Sequence, residues 1–296
     1  MPSPVSPSPP RLVKISKKGK GRGLAVISAA KASDVLLTQR PFAAVVDDSH
    51  LETHCSGCFR TSKTPMLRCS TCSHIHYCSP KCQRGDWPVH KLECRYLHQI
   101  HPKRPQTTVR ILARILIAIS LRPSENPLSE LIAHRDLFPQ SQLDKFVQII
   151  MLLGQIVPEV VLSPLEMMDL CCSFSVNSMS VYDDETVNIG AALYTTASLI
   201  NHSCRPNAAL YFGEGGKAFV RALTEINSGD EVSISYISNF KAKESRKQEL
   251  SERYFFECGC PECVQDRVDP RASLIHATCR DGRIPYCMSV FFILAR

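Results

Sequence analysis

Hydrophobic and polar residues follow two different periods along the chain. Short apolar runs at residues 24–27, 35–38 and 43–46, broken by Gly and polar residues, predict strands in the N-terminal part. Between residues 107 and 174, apolar residues recur at three- and four-residue spacing with Pro at the breaks, which predicts helices. The two patterns indicate a β-rich domain that is interrupted by a helical insert.

Strand character returns after the helical region. Residues 208–212 and 218–222 predict a hairpin around a Gly-rich turn. A further strand is predicted after a tight turn, with Val232, Ile234 and Tyr236 on one face. Because helices and strands occupy separate regions of the chain, the predicted fold class is α+β.

Eight residues of the types that bind metals lie between positions 55 and 94. They are Cys55, Cys58, Cys69, Cys72, Cys78, Cys82, His90 and Cys94. Zinc prefers four soft ligands in a tetrahedron, and thiolates two residues apart can hold one side of it from a tight turn. Eight ligands predict two zinc sites, although the spacing alone does not pair them. Four other histidines fall outside the pattern and are expected at the surface: His54, His74, His76 and His98.

Composition and charge narrow the class of protein. With 44% hydrophobic and 21% charged residues among 296, the chain has the composition of an ordinary globular protein. The net charge of +7 is modest, and the basic clusters contain almost no aromatic residues, which disfavours sequence-specific DNA binding. The apolar stretches at residues 109–121 and 146–157 are shorter than the roughly 20 residues of a membrane span, so no membrane association is expected. Fifteen cysteines without an apolar leader predict a reducing compartment, the nucleus or the cytoplasm or both.

Three further segments carry possible chemistry: a Gly-rich segment at residues 19–24, the sequence Asn-His-Ser-Cys at residues 201–204, and the strand segment at residues 229–236. In this order, with a zinc-finger pattern between the first two, they resemble the SET and MYND (SMYD-type) family of protein-lysine methyltransferases. The eight-ligand block resembles the MYND zinc finger. The resemblance covers roughly residues 12–264.

The resemblance implies a SET fold, in which small curved β-sheets and a knot-like C-terminal segment are split by the MYND finger and the helical insert. The implied divisions are a disordered tail (1–10), the N-terminal part of the SET domain (11–50), the MYND zinc finger (55–94), the helical insert (107–174), the SET core (175–240), a zinc-bound post-SET segment (241–264) and a C-terminal tail (265–296).

The same resemblance implies how the metal ligands pair. The two finger sites interleave, with Cys55, Cys58, Cys78 and Cys82 at one ion and Cys69, Cys72, His90 and Cys94 at the other. A third zinc ion is implied at Cys258, Cys260 and Cys263, with Cys204 of the Asn-His-Ser-Cys motif as the fourth ligand. Four cysteines without metal spacing are expected to be buried thiols: Cys171, Cys172, Cys279 and Cys287.

S-adenosylmethionine is the cofactor that the resemblance implies. Gly21 and Gly23 are expected to let the backbone approach it closely, and Arg22 stands where many relatives have Asn. The implied cofactor contacts are Lys20, Gly21, Arg22, Gly23, Asn177, Ser198, Asn201, His202, Tyr236, Tyr254 and Phe256.

Tyr236 stands where the family has its catalytic tyrosine. The nucleophile in lysine methylation is the neutral amine, yet lysine has a pKa of about 10.4 and is almost fully protonated at pH 7. A phenol hydroxyl at the inner end of the lysine channel can orient that amine.

Two functions follow from the resemblance. The first is a protein-lysine methyltransferase whose partner is a protein with an accessible lysine, such as a histone tail. The alternative is a non-catalytic adaptor whose MYND finger binds Pro-rich peptides. Retention of Asn201, His202, Tyr236 and the four cysteines of the third site favours the enzyme.

Overall fold

A computed structural model describes residues 11–17, 21–160 and 162–265 of the chain. The predicted N-terminal tail, Lys20, Cys279, Cys287 and all of the predicted C-terminal tail except Gln265 lie outside the described residues. The chain divides into two compact units. The first unit comprises Met1–Leu37, Leu199–Leu210 and Phe219–Arg296, and the second comprises Thr38–Ser198 and Tyr211–Ala218.

The described residues form twelve strands and six α-helices. In chain order they are β1 (Leu12–Lys17), β2 (Gly21–Val26), β3 (Val35–Gln39), β4 (Ala43–Val46), β5 (Leu67–Arg68), β6 (His76–Tyr77), α1 (Pro80–Ile100), α2 (Thr107–Leu121), α3 (Gln140–Ile156), α4 (Pro164–Asn177), β7 (Met179–Tyr182), β8 (Asn188–Leu193), β9 (Asn201–His202), β10 (Ala208–Gly213), β11 (Lys217–Ala222), β12 (Glu231–Ile234), α5 (Lys243–Tyr254) and α6 (Pro261–Val264). The α+β class with several small sheets is confirmed.

The first unit is built on a four-stranded sheet with the order β1-β2-β12-β9. β2 is antiparallel to both of its neighbours, whereas β12 and β9 are parallel, with Ser233 opposite Asn201 and Ile234 opposite His202. This order brings the Gly-rich strand and the Asn-His-Ser-Cys motif to opposite edges of β12. The strand ends at Ile234, so the prediction that Tyr236 shares a strand face with Val232 is wrong.

The second unit contains an antiparallel sheet with the order β4-β8-β7, and Gly190 of β8 is needed for its pairing. A Cβ at that position would lie 2.1 Å from the Val45 carbonyl oxygen.

The helical insert is confirmed as α2, α3 and α4, and α2 is buried from Val109 to Ile119. The predicted hairpin is confirmed as β10 and β11, neighbours in a sheet of order β10-β11-β3. None of the helices in the described part of the chain combines the length and apolarity that a bilayer crossing needs.

A buried group of charges joins α1 to α2 within the second unit. Arg114 donates to Glu93 Oε1 at 2.6 and 2.9 Å and to both oxygens of Asp86 at 2.9 Å. Arg110 lies 3.8 Å from the other oxygen of Glu93, and Tyr77 donates to Asp86 at 2.8 Å. Although burial alone would raise it, the guanidinium groups of Arg114 and Arg110 hold the pKa of Glu93 below its usual range. The two arginines that interrupt an apolar run in the sequence are therefore the anchors of α2.

We expect Arg114→Met to destabilise the protein by about 3–5 kcal/mol, because it removes the main cationic partner of the buried Glu93 and of the partly buried Asp86. The matched variant Arg135→Met removes an ion pair with Asp169 whose side chains are 34% and 43% exposed, so it should cost about 0–1 kcal/mol. Urea unfolding measures both free energies of unfolding. Similar small losses for the two variants would contradict the assignment of Arg114 as an anchor.

Candidate functional site

Three groups of four metal-type ligands are present among the described residues, and within each group the ligand atoms lie within 4.8 Å of one another. The first finger cluster is Cys55, Cys58, Cys78 and Cys82, the second finger cluster is Cys69, Cys72, His90 and Cys94, and the third cluster is Cys204, Cys258, Cys260 and Cys263. These are the pairings that the sequence resemblance implied, so all twelve predicted ligands are brought together as expected.

The separations between the ligand atoms fit zinc. Four thiolates at about 2.3 Å from a tetrahedral zinc ion lie roughly 3.8 Å from one another. The sulfur atoms of Cys58 and Cys78 are 3.7 Å apart, those of Cys69 and Cys94 are 3.8 Å apart, and Cys204 lies 4.0 Å from Cys258. Every cysteine in the described part of the chain is a free thiol. The Cys₄ and Cys₃His donor sets are those of structural zinc sites.

Gly57 gives the first finger cluster its tight turn. A Cβ at Gly57 would lie 2.9 Å from the carbonyl oxygen of Cys82, so only glycine allows this close approach. Its N–H also points to the sulfur of Cys55 at 3.4 Å. Ser79 then caps α1 by accepting from the backbone N–H of Cys82, which holds the fourth ligand in the first turn of the helix.

Glu93 supports the second finger cluster and was missed by the sequence analysis. His90 Nδ1 lies 3.1 Å from Glu93 Oε1, while His90 Nε2 faces Cys72 Sγ at 3.6 Å. A carboxylate on one ring nitrogen fixes the tautomer that leaves the other nitrogen for the metal. The available signal was the spacing His90-x-x-Glu93, which places both side chains on one face of a helix.

The expectation that the neighbouring histidines are surface residues is wrong for three of them. His54, His74 and His76 are 5%, 4% and 3% exposed, and only His98 lies at the surface. Their rings contact other polar groups: His54 Nε2 lies 3.2 Å from Asp183, His74 lies 3.6 Å from Asp48, and His76 is hydrogen-bonded to the carbonyl of His74. The loops of the finger are therefore held by buried imidazoles as well as by cysteine clusters. Cys171 and Cys172 are buried, as expected.

The third cluster lies in a small core of the first unit. Its four cysteines pack with Ile237 and Leu250, and the partly buried rings of Tyr236, Tyr254 and Phe256 lie against them. Phe255 closes α5 in the left-handed region, at φ 59°. The chain turns there, and Phe256 reaches within 6.0 Å of the His202 ring and 6.4 Å of the Tyr236 ring.

Tyr236 is held at three points. Its backbone N–H donates to His202 Nδ1 at 3.1 Å, its hydroxyl donates to the carbonyl of Ile200 at 2.6 Å, and its carbonyl accepts from the Tyr254 hydroxyl at 3.3 Å. Burial raises the pKa of Tyr236 above that of a free tyrosine, so the phenol is neutral at physiological pH. Since its one proton is given to Ile200, the oxygen can only accept from a further group.

Asn201 has a structural task that the sequence did not reveal. Its side-chain amide donates to the carbonyl of Arg22 at 2.7 Å and to Glu231 at 2.8 Å. A Cβ at Gly23 would lie 2.8 Å from that amide nitrogen, so glycine is required there by contacts within the protein. The predicted role of Gly23 in the close approach of the backbone to a ligand stays a prediction. Gly21 has φ 70° with open space beside it, a backbone conformation that favours glycine.

The predicted cofactor residues are distributed over both units. Most of them belong to the first unit and are linked by the contacts above: Gly21, Arg22, Gly23, Asn201, His202, Tyr236, Tyr254 and Phe256. Asn177 and Ser198 belong to the second unit, where Ser198 donates to the carbonyl of Asn177 at 3.0 Å. The Asn177 side chain donates to Ser173 and Ile132.

Comparison with known proteins gives one family match and many relatives. The MYND finger family model matches residues 55–94. The chain is 32% identical to N-lysine methyltransferase SMYD2 of Gallus gallus over 91% of its length and 63% of the relative's. It is 34% identical to N-lysine methyltransferase SMYD2-A of Danio rerio, covering 85% of this chain and 59% of the relative. For histone-lysine N-methyltransferase ASHR1 of Arabidopsis thaliana the identity is 30%, over 82% of this chain and 53% of the relative.

The chain thus spans between about half and two thirds of the length of these relatives. Among solved structures, the SET domain of LSMT bound to lysine and AdoHcy aligns with 86% of this chain and 54% of that chain, at 14% identity and a TM-score of 0.41.

We expect purified protein to contain three zinc ions per chain, one for each cluster. Cys204→Ser should lower the content to two, because the third cluster loses a thiolate, whereas Cys171→Ser, at a buried cysteine outside the clusters, should retain three. Metal analysis by mass spectrometry measures the zinc content directly. A Cys204→Ser protein that keeps three ions would remove Cys204 from the zinc ligands.

Proposed function

The chain belongs to the SET and MYND (SMYD-type) family of protein-lysine methyltransferases, and on that premise we propose that it transfers methyl groups from S-adenosylmethionine to lysine side chains of proteins. The observation that carries the proposal is the setting of Tyr236. Its phenol is neutral, its proton is given to Ile200, and aromatic rings surround it. This setting suits the orientation of an amine.

The residues of the first unit suit the binding of S-adenosylmethionine. Gly21 leaves open space at the start of β2, and Phe256 and Tyr254 offer aromatic surface near Tyr236. The Asn201 amide is engaged by Arg22 and Glu231, so its remaining polar atom, Oδ1, is the one that we assign to the cofactor. When bound, S-adenosylmethionine supplies a methyl group activated by its positive sulfur.

Tyr236 orients the amine and does not remove its proton. Because desolvation raises its pKa and it donates to Ile200, the phenol oxygen accepts an N–H from the incoming lysine and aims the nitrogen lone pair away from itself. The neighbouring Tyr254 and Phe256 rings disfavour the ammonium form by reducing its hydration. Deprotonation of lysine costs about 4.6 kcal/mol at pH 7 if nothing assists it, so this environment matters for the rate.

We also propose a class of substrate and a class of peptide partner for the chain. We assign a protein with an accessible lysine as the substrate, a histone tail among the candidates. The MYND finger is proposed to bind Pro-rich peptides. Trp87 supports this proposal, because it is 43% exposed on α1 with its ring 5.9 Å from that of His90, and Pro-rich segments dock on aromatic side chains. A reducing compartment, the nucleus or the cytosol, is proposed from the free cysteines of the clusters.

The adaptor remains the second candidate function. The exposed Trp87 favours it equally, since peptide binding through the finger needs no turnover. The two functions differ in the role of Tyr236. Peptide binding by an adaptor does not involve its phenol, whereas methyl transfer requires the phenol oxygen to contact the lysine amine.

We expect S-adenosylmethionine to bind the purified protein in calorimetry. Phe256→Ala should weaken the affinity about tenfold, because one aromatic contact contributes up to about 1.5 kcal/mol. Phe240→Ala is the matched control, since Phe240 belongs to the same unit and is 58% exposed. Equal affinities in the two variants would remove Phe256 from the cofactor site.

Tyr236→Phe should lower kcat roughly a hundredfold while zinc content, stability and cofactor affinity stay near the wild-type values, because the hydroxyl acts mainly in the transition state. The assay uses radiolabelled S-adenosylmethionine with histones and a cell lysate, and Tyr182→Phe, at a 39% exposed tyrosine, is the control. The rate of the variant should still rise with pH below the lysine pKa, since the phenol is not the base.

Wild-type turnover in Tyr236→Phe would exclude Tyr236 from the mechanism. If the wild-type protein binds the cofactor but methylates nothing in the lysate, the adaptor is favoured instead.

A further inference from the structure

Both ring nitrogens of His202 are engaged by groups of the protein. The backbone N–H of Tyr236 lies 3.1 Å from Nδ1, and Cys204 Sγ lies 3.3 Å from Nε2. A backbone N–H can only donate, so Nδ1 must accept, and the proton of the neutral imidazole is then on Nε2. The Nε2–H group therefore points at a cysteine of the third cluster.

Tyr236 needs this acceptor because the sheet ends before it. The last paired residue of β12 is Ile234, whose carbonyl accepts from the backbone of Ser203. Two residues further on, beyond the strand pairing found among the described residues, the N–H of Tyr236 is satisfied by the His202 ring. The hydroxyl end of Tyr236 is bonded to Ile200. Rotation of the His202 ring would release the backbone N–H of Tyr236 and leave its carbonyl bonded to Tyr254 and its hydroxyl bonded to Ile200.

We propose that His202 is a positioning residue that couples the third zinc centre to Tyr236. Zinc held by the four cysteines would fix the position of Cys204 Sγ, the atom that the Nε2–H group faces at 3.3 Å. The filled centre therefore fixes the ring in the orientation in which Nδ1 accepts from Tyr236. Loss of zinc loosens the ring and, through it, the phenol.

This role differs from a direct contact of the His202 ring with the cofactor. Since both ring nitrogens are engaged within the protein, His202 variants should change kcat and leave the Kd of S-adenosylmethionine within about threefold of wild type. The kinetic consequence rests on the proposed function. The hydrogen bonds and their link to zinc do not, and they are measured separately.

Two substitutions test the hydrogen bonds of the two ring nitrogens one at a time. In His202→Asn the amide oxygen stands near the position of Nδ1 and keeps an acceptor for Tyr236, but the group facing Cys204 is lost. In His202→Gln the longer side chain keeps a donor towards Cys204 and loses the acceptor for Tyr236. His98→Gln is the control, because His98 is an exposed histidine of α1.

Hydrogen exchange of the Tyr236 amide tests the first link without any activity. We expect exchange in His202→Gln to be roughly fivefold faster or more than in wild type, because the net free energy of one hydrogen bond corresponds to a change of that size. Exchange in His202→Asn should stay near the wild-type rate.

Zinc release to a chelator tests the second link, between His202 and the third zinc centre. His202→Asn should release the ion of the third centre about tenfold faster, whereas the two finger ions serve as internal controls for folding. Wild-type exchange in His202→Gln, or wild-type release in His202→Asn, would overturn the coupling.

Kinetics complete the test. His202→Gln should lower kcat about tenfold with little change in KM, and this loss should largely disappear when it is measured in a Tyr236→Phe background, because the two residues then act as one unit. Additive losses would contradict action through Tyr236. A wild-type protein without methyl transfer would overturn the proposed function, while the exchange and zinc measurements would still decide the coupling.

Discussion

The clustering of Cys204 with three other cysteine thiols is the constraint on which the first unit depends. Cys204 follows strand β9, and the other three thiols belong to the C-terminal segment around α6. The sulfur atoms of Cys258 and Cys263 lie 4.0 and 3.5 Å from that of Cys204. As thiolates they would repel one another, and a divalent cation is the compensation that such a donor set fits. Once the cation is in place, α5 and the residues after it are held against the sheet. Tyr254 and Phe256 are thereby packed beside Tyr236.

In the second unit, buried charged side chains hold separate segments of the chain together. Its finger is joined to α2 by buried charges, in which Glu93 contacts both the zinc-type ligand His90 and Arg114. One carboxylate thus serves the metal cluster and the helix packing together. A buried ion pair of this kind contributes little net stability relative to apolar packing, but it is expensive to break. The finger and α2 are therefore expected to lose their structure together.

The sequence predicted much of this because the informative residues have strong local signals. Cysteine and histidine spacing indicated the eight ligands of the finger, the family resemblance added the four cysteines of the third cluster, and Asn-His-Ser-Cys with the later tyrosine indicated the candidate site. The sequence could not indicate the partners of single polar residues. Arg110 and Arg114 interrupt an apolar helix, and only the fold brings Glu93 to them. His54, His74 and His76 look like surface histidines in a polar loop, yet acidic and backbone groups elsewhere in the fold allow their burial.

The end of β12, next to Tyr236, is a further feature that the sequence pattern did not indicate. Alternation in the sequence continues to Tyr236, but the ladder stops at Ile234, opposite His202, where the partner strand β9 ends. Tyr236 is consequently placed by two hydrogen bonds of its backbone and one of its hydroxyl, and not by strand geometry.

A crystal structure of the zinc-loaded protein with S-adenosylhomocysteine and a lysine peptide would test the central claim most directly. The account predicts the lysine nitrogen within about 2.6–3.2 Å of the Tyr236 hydroxyl oxygen, with that hydroxyl still donating to Ile200. A lysine nitrogen bound elsewhere, or a Tyr236 hydroxyl turned away from it, would contradict the account.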